Sequence, residues 1–119
     1  MTNPAPFATS VLEAVQIEAV PAVEVGTGCL RRDLPSTTGV RLWIVEMLPG
    51  SQWPHVDHHE TGEGFYVIHG EVIEDGSRHR AGTWVHFAPG SSHRPRTETG
   101  VRLLGYNLDP AAFHAASQR

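Results

Sequence analysis

The residues best suited to chemistry lie in one short stretch, residues 55–63, which reads HVDHHETGE and holds three histidines, one aspartate and two glutamates. Imidazole and carboxylate groups are the side chains that bind first-row transition metals in proteins. A strand pattern, residues 65–68, follows directly. A polar cluster has little reason to precede a β-strand unless a ligand holds it there. The stretch therefore predicts a metal site in the mouth of a small β-barrel.

Alternation along the strand decides which of these side chains can converge. Residues two apart in a strand share a face, so His55, Asp57 and His59 fall on one side, while Val56 and His58 fall on the other. We expect the face that carries His59 to point into the barrel.

Two further side chains can complete the site from other strands. Glu63 lies across a tight turn from His59, and a hairpin there returns its carboxylate toward that imidazole. His93 follows the turn residues Pro89 and Gly90 and is the best candidate for a remote histidine. The residues alone thus point to a mixed set of imidazole and carboxylate ligands.

Short strand patterns separated by turn residues run through most of the chain. The predicted strands are residues 29–34 (a short edge strand), 40–48, 53–59, 65–68, 71–74, 78–80, 83–87 and 101–108. Asp75-Gly76 is a strong signal for a hairpin turn. Regularly spaced short strands of this kind are typical of an all-β sandwich or closed barrel.

The two ends of the chain carry weaker patterns. Residues 1–10 are small and polar and predict a flexible arm, while residues 11–119 predict a single domain, since 119 residues suit one core. Residues 11–25 alternate weakly, which favours extended structure over the competing helix at 11–20. Residues 111–117 predict one or two helical turns.

Composition excludes several classes of function. The net charge is −4 and the nine basic residues are scattered arginines, so nothing resembles a nucleic-acid footprint. No apolar run is long enough for a membrane span, and the N-terminus lacks the pattern of a secretory signal. The single cysteine, Cys29, has no intrachain partner for a disulfide, which predicts a cytoplasmic protein.

The polar stretch resembles the first motif of the cupin superfamily, which runs Gly, His-x-His, three or four residues, Glu, six residues, Gly. Here Gly50, the tripeptide Asp57-His58-His59, Glu63 and Gly70 stand at the corresponding positions. The second cupin motif runs Gly, five residues, Pro-x-Gly, two residues, His. It corresponds here to Gly82, Ala88-Pro89-Gly90 and His93.

Within the superfamily the chain is most similar to the ChrR-like cupins. The similar segments are LPGSQWPHVDHH, GEGFYVIHG, AGTWVHFAPGSSH and TGVRLL, and the resemblance covers roughly residues 20–108. It implies a double-stranded β-helix, which is a jelly-roll β-barrel, with the ligands lining its mouth. It also implies a divalent metal ion, Fe, Mn, Ni or Zn.

The chain departs from the family pattern at two positions. Ala88 replaces a proline, which Pro89 can compensate, and Asp57 replaces the family's first histidine. The resemblance implies Asp57, His59, Glu63 and His93 as the metal ligands. If Asp57 does not bind, the other three form a two-histidine, one-carboxylate set, and His55 or His58 becomes the candidate for the fourth position.

Three classes of function fit this reading. The resemblance favours a metal-dependent enzyme, such as an iron dioxygenase that cleaves a β-diketone or a related small carbonyl compound. A non-oxidative lyase or isomerase is the alternative, and a metal-binding or small-molecule-binding regulatory module is the third class. The regulatory class is disfavoured because 119 residues leave no room for the helical anti-sigma domain that accompanies the ChrR cupin.

Candidate acid–base residues for an enzyme are His86, Tyr66 and Tyr106. We also expect a homodimer, because short strands within residues 11–34 would leave an open sheet edge, and such edges are usually covered. The expected ligand is a small molecule, with no nucleic-acid or membrane partner.

Overall fold

The computed structural model describes residues 11–111, which form nine β-strands preceded by a short 3₁₀ helix at Ile17–Ala19. The strands are β1 (Val23–Gly26), β2 (Cys29–Leu34), β3 (Val40–Met47), β4 (Asp57–His59), β5 (Glu63–Glu74), β6 (Ser77–Arg80), β7 (Trp84–Phe87), β8 (Ser91–His93) and β9 (Val101–Leu108). The predicted all-β architecture is confirmed.

The strands form a large sheet and a small one. The order of the large sheet is β1-β2-β3-β9-β5-β6, with β7 also paired to β5, and the small sheet is β4-β8. All of these pairs are antiparallel. The last strand, β9, lies in the middle of the large sheet between β3 and β5, so strands distant in sequence become neighbours, as in a jelly roll.

Strand β5 corrects one prediction. Residues 65–68 and 71–74 were expected to be separate strands divided at Gly70, but they belong to one strand with a register shift between Val67 and His69. Gly70 has φ 79°, and a Cβ at this position would lie 2.0 Å from the carbonyl oxygen of Gly100. The glycine therefore bends the strand without ending it, because only glycine fits both the conformation and the space.

Other boundaries also differ from the sequence patterns. Strand β2 is not an edge strand, since it pairs with both β1 and β3, and the edge is β1. The predicted strand at residues 53–59 shortens to Asp57–His59, and the strand β8 was not predicted. The expectation that an open edge drives homodimer formation thus shifts to β1 and stays a prediction.

Before β1 the described chain forms no α-helix, and its helical geometry is confined to the 3₁₀ turn at Ile17–Ala19, with Gln16 and Val20 extended on either side. The predicted arm at residues 1–10 lies outside the described residues, and so do nearly all of the helical turns predicted at residues 111–117. Across residues 11–111 we find no helix with the length and hydrophobicity needed to span a membrane.

The inner face of the large sheet carries the core. Its buried side chains come from β2, β3, β5 and β9 and from the segment before β4, and they are Cys29, Trp43, Val45, Met47, Trp53, Phe65, Val67, Val72, Val101 and Leu103. Val45, Leu103 and Val67 are register partners across three adjacent strands. Because inward and outward residues alternate, this row fixes the facing of the side chains along β3 and β9 and along β5 as far as its register shift after Val67.

The indole of Trp43 lies flat over Gly105 in strand β9, where there is no side chain. Its register partner is Gly105, and a Cβ there would approach the Trp43 ring to 2.1 Å. Gly105 needs no positive φ, so the glycine is required by the indole and not by the backbone. The missing side chain on β9 makes room for the indole on the core face of the sheet.

We expect Gly105→Ala to lower the free energy of unfolding by about 1–3 kcal/mol, because the added methyl overpacks the core against Trp43. Urea unfolding measures the loss. Gly105→Ala should lower the free energy of unfolding much less in a Trp43→Leu background, where the indole ring is absent. Equal losses in both backgrounds would show that the indole is not the cause.

Candidate metal centre

The candidate site lies where the small sheet meets the start of β5. Strand β4 carries Asp57 and His59 on one face, and Asp57 is the register partner of His93 on β8. The turn at residues 60–62 then leads the chain into β5, closed by a hydrogen bond from the Gly62 amide to the His59 carbonyl (3.2 Å). Glu63, the first residue of β5, therefore returns to the same point.

Three donor atoms converge there. The Nε2 atoms of His59 and His93 are 2.7 Å apart. Glu63 Oε2 lies 3.2 Å from the first and 3.0 Å from the second. The side chains of His59, Glu63 and His93 are only 11%, 8% and 4% exposed, so water does not separate them.

Asp57 lies at the edge of this cluster. One ligand atom each from Asp57, His59 and His93 falls within 4.8 Å of the others. The Asp57 side chain is 25% exposed. All four sequence-predicted residues are thus brought to one place, with Asp57 on the solvent side.

The donor separations fit a first-row metal ion. Ligands at about 2.1 Å from such an ion are separated by about 3.0 Å on adjacent octahedral corners and by about 3.4 Å in a tetrahedron. The observed 2.7–3.2 Å matches the octahedral edge. Two imidazoles and one carboxylate on one face are also the donor set typical of iron(II) sites with open positions.

The electrostatics favour a positive charge at the same point. Burial lowers the pKa of His93, but its hydrogen bonds to Glu63 and Glu74 and the charges of these carboxylates outweigh burial and raise the pKa to about 9. Burial raises the pKa of Glu63, and the hydrogen bonds from His59 and His93 more than reverse this, so the net shift is downward. The protein thus stabilises a cation between its carboxylates.

Glu74 is a part of the site that the sequence patterns did not reveal. Its buried carboxylate accepts a hydrogen bond from His93 Nδ1 at 2.8 Å. This bond places the Nδ1 proton away from the cluster and leaves Nε2 facing Glu63, as second carboxylates do for metal-binding histidines. The one available signal was an acidic residue directly after the apolar pair Val72-Ile73, which does not indicate the partner.

Neither alternative candidate for the fourth position reaches the cluster. His58 points to the opposite face of β4, where its Nδ1 lies 2.6 Å from Ser92 Oγ. His55 is largely exposed, and its Nε2 lies 3.0 Å from Asp57 Oδ1. His55 therefore contacts Asp57 and not the other three residues.

The three acid–base candidates, Tyr66, His86 and Tyr106, are not at the site. Alternation on β5 turns Glu63 and Phe65 inward and Tyr66 outward, and His86 and Tyr106 are the register partners of the outward position between them. Tyr66 is 42% exposed, and Tyr106 stacks on Trp84 with ring centroids 6.2 Å apart. None of the three is among the residues that line the cavity at the cluster.

The cluster opens into a cavity of about 820 Å³. Aromatic and aliphatic side chains form much of its wall, among them Trp43, Val45, Phe65 and Leu103. The ring of Phe87 stacks on His93 with centroids 4.1 Å apart. The polar residues of the wall that are not part of the cluster include Arg31, Asp33, Arg41 and Asn107. Such a cavity suits a small molecule with a few polar groups.

We expect Glu74→Gln to lower the pKa of His93 in the metal-free protein from about 9 toward 6.5, because one of the two carboxylates that stabilise the imidazolium is lost. An NMR titration of the histidine ring protons measures this shift. His93 has a raised pKa, so it stabilises the fold below pH 6.5 and this stabilisation disappears as the pH rises through about 9. Glu71→Gln, on the same strand beside exposed Arg78, is the control, and an unchanged His93 pKa in Glu74→Gln would contradict the assignment.

The sequence model of the ChrR cupin-like domain family matches residues 11–109. None of the curated proteins compared with the chain shows significant sequence similarity.

Solved structures share the fold at low sequence identity. An RmlC-like cupin from Shewanella frigidimarina has a TM-score of 0.72 at 21% identity, over 87% of this chain and 96% of that one. An acetylacetone dioxygenase from Acinetobacter johnsonii has a TM-score of 0.73 at 17% identity, over 84% and 76%. A chain in the Rhodobacter sphaeroides complex of SigE with the anti-sigma factor ChrR has a TM-score of 0.70 at 20% identity, over 77% of this chain and 51% of that one.

Proposed function

This chain belongs to the ChrR cupin-like family, and on that premise we propose that it is a metal-dependent dioxygenase that acts on a small carbonyl or enolisable compound. The observation that carries the proposal is the contact of His59, Glu63 and His93 at the wall of the cavity, with donor atoms 2.7–3.2 Å apart. The fold shared with an acetylacetone dioxygenase supports the proposed substrate class.

In this proposal His59, Glu63 and His93 would hold a divalent ion, and Asp57 would supply a carboxylate oxygen as the fourth donor or orient a ligand water. Two carboxylates and two imidazoles suit iron(II), manganese(II), nickel(II) or zinc(II), and they disfavour a soft metal. When bound, iron at such a site acts as a Lewis acid toward an enolate oxygen and is the redox partner for O₂.

The residues of this chain then have separate tasks. Glu74 holds His93 in the orientation in which Nε2 faces the ion. Phe65 and Phe87 pack beside the cluster and exclude water from it. His55 holds the Asp57 carboxylate from the solvent side, which leaves the cavity side of the cluster for the substrate.

Asp57 is the position at which the chain differs from the family motif, and its role is testable by metal retention. We expect Asp57→Ala to weaken metal binding about 10–100-fold, and Asp57→His to retain metal with a changed preference among Fe, Mn, Ni and Zn. The proteins are loaded anaerobically, and their metal content and affinity are measured against a competing chelator.

His58→Ala is the matched control for this experiment, because His58 lies next to Asp57 on the opposite face of β4. It should retain metal like the wild type. Equal metal binding in all variants would make Asp57 a bystander, and a wild-type protein that binds no metal at all would overturn the proposed function.

Oxygen uptake tests the reaction itself. Iron-loaded protein should consume O₂ in the presence of acetylacetone, with both oxygen atoms entering the two fragments while one carbon–carbon bond of the diketone breaks. Glu63→Gln should slow uptake by at least about tenfold, because it removes the anionic donor of the cluster. Tightly held zinc, with no uptake after iron loading, would instead favour a non-oxidative lyase or isomerase, or a regulatory module, at the same site.

A further inference from the structure

Three side chains lie side by side across the large sheet, at the end where Glu63 meets the two histidines. Arg41 on β3 is the register partner of Asn107 on β9, and Asn107 is in turn the register partner of Glu63 on β5. All three line the cavity. We call Arg41, Asn107 and Glu63 the cross-strand row. Partners of this kind have Cβ atoms about 4.5–5.5 Å apart, so Asn107 is the immediate neighbour of a proposed metal ligand.

The orientation of Asn107 is set by Trp43. The indole Nε1–H of Trp43 donates a hydrogen bond to Asn107 Oδ1 at 2.9 Å. An indole nitrogen can only donate, so the amide atom that it contacts must be the oxygen. Trp43 is itself held against Gly105, and Gly105 stands two residues before Asn107 on the same face of β9. The unit of Trp43, Gly105 and Asn107 therefore fixes which end of the amide is free.

The free ends of the cross-strand row are hydrogen-bond donors. Within residues 11–111, neither the Asn107 NH₂ group nor the Arg41 guanidinium has a hydrogen-bond or ion-pair partner. Arg31, the other arginine of the cavity wall, differs because its Nε lies 3.1 Å from Asp33 Oδ1. The row thus offers two unused donors, one of them charged, beside Glu63.

We propose that Asn107 and Arg41 bind an oxyanion of the ligand and that this pair selects small carboxylates or enolates as substrates. The proposal rests on the proposed function only in assigning the other end of the ligand to the cluster of His59, Glu63 and His93. Asn107 is partly buried, whereas Arg41 is exposed and remains solvated without a ligand. A ligand without an acceptor oxygen at this point would leave the Asn107 NH₂ group desolvated and unpaired, which selects against such a ligand.

The probe for this proposal is malonate, with monomethyl malonate as the matched compound in which one carboxylate charge is removed. Calorimetric titration of the zinc-loaded protein measures both affinities, and metal content is checked before and after. Wild type should bind malonate at least about tenfold more tightly than the monomethyl ester, as expected for a hydrogen bond to a charged acceptor. Asn107→Leu and Arg41→Met should each bring the ratio of the malonate affinity to the ester affinity closer to one.

Two further variants test whether a lost malonate preference results from a disrupted fold. Asn107→Asp keeps an oxygen acceptor for Trp43 and replaces the NH₂ donor with a negative charge, so it should remain folded and lose malonate preference at least as strongly as Asn107→Leu. Tyr106→Phe changes the adjacent residue on β9, whose side chain lies on the outer face with Trp84, and should keep the wild-type preference.

The same titrations on metal-free protein separate the two proposals. Zinc that fails to bind wild type would overturn the proposed function, while the malonate preference would still report on the cross-strand row. A malonate preference that is equal in wild type, Asn107→Asp and Asn107→Leu would overturn the role of Asn107, whatever the metal content. A preference unchanged in Arg41→Met would overturn the role of Arg41 in the same way.

Discussion

The contact of one buried carboxylate with two imidazoles is the interaction on which the organisation of this protein depends. Glu63, His59 and His93 come from three strands in two sheets. Bringing three polar groups together out of water is costly unless a positive charge lies among them. The protein reduces this cost with a second buried carboxylate, Glu74, on the far side of His93. The cluster therefore stabilises a positive charge, as the raised pKa of His93 indicates.

The same sheet separates two chemically different surfaces. The inner face of β3, β5 and β9 carries the apolar core, and at one end it carries the cross-strand row, which includes Glu63 of the candidate site. The outer face carries Tyr66, Trp84 and Tyr106, which are aromatic but lie away from the cavity. Alternation produces this division on β5 as far as Val67, where only side chains on the face of Glu63 reach the cavity. The register shift between Val67 and His69 reverses the order, so that Val72 faces the core and Glu74 reaches His93.

Glycine makes close approach possible at two places that matter. Gly70 lets β5 bend beneath the carbonyl of Gly100 and continue to Glu74, so that one strand supplies both Glu63 and Glu74. Gly105 lets the Trp43 indole lie on β9 and hold Asn107. In both cases the absence of a side chain positions a polar group some residues away.

Much of the fold and of the proposed site was determined by the sequence alone. Turn residues and alternation indicated most of the strands, and they directed His59 and Glu63 to one point, because hairpin geometry and strand parity are local properties. The full set with Asp57 and His93 followed from the resemblance to the cupin motifs, since the pairing of β4 with β8 is not local. The roles of Glu74, Trp43 and Asn107 were decided only by the tertiary structure. Each role depends on pairing between strands that are far apart in sequence. A local sequence pattern does not indicate which strands pair with β9 or which residues contact the end of β5. For the same reason the pattern could not show that Tyr66, His86 and Tyr106 face outward, since the side of a strand that becomes the interior is settled only when the sheets pack.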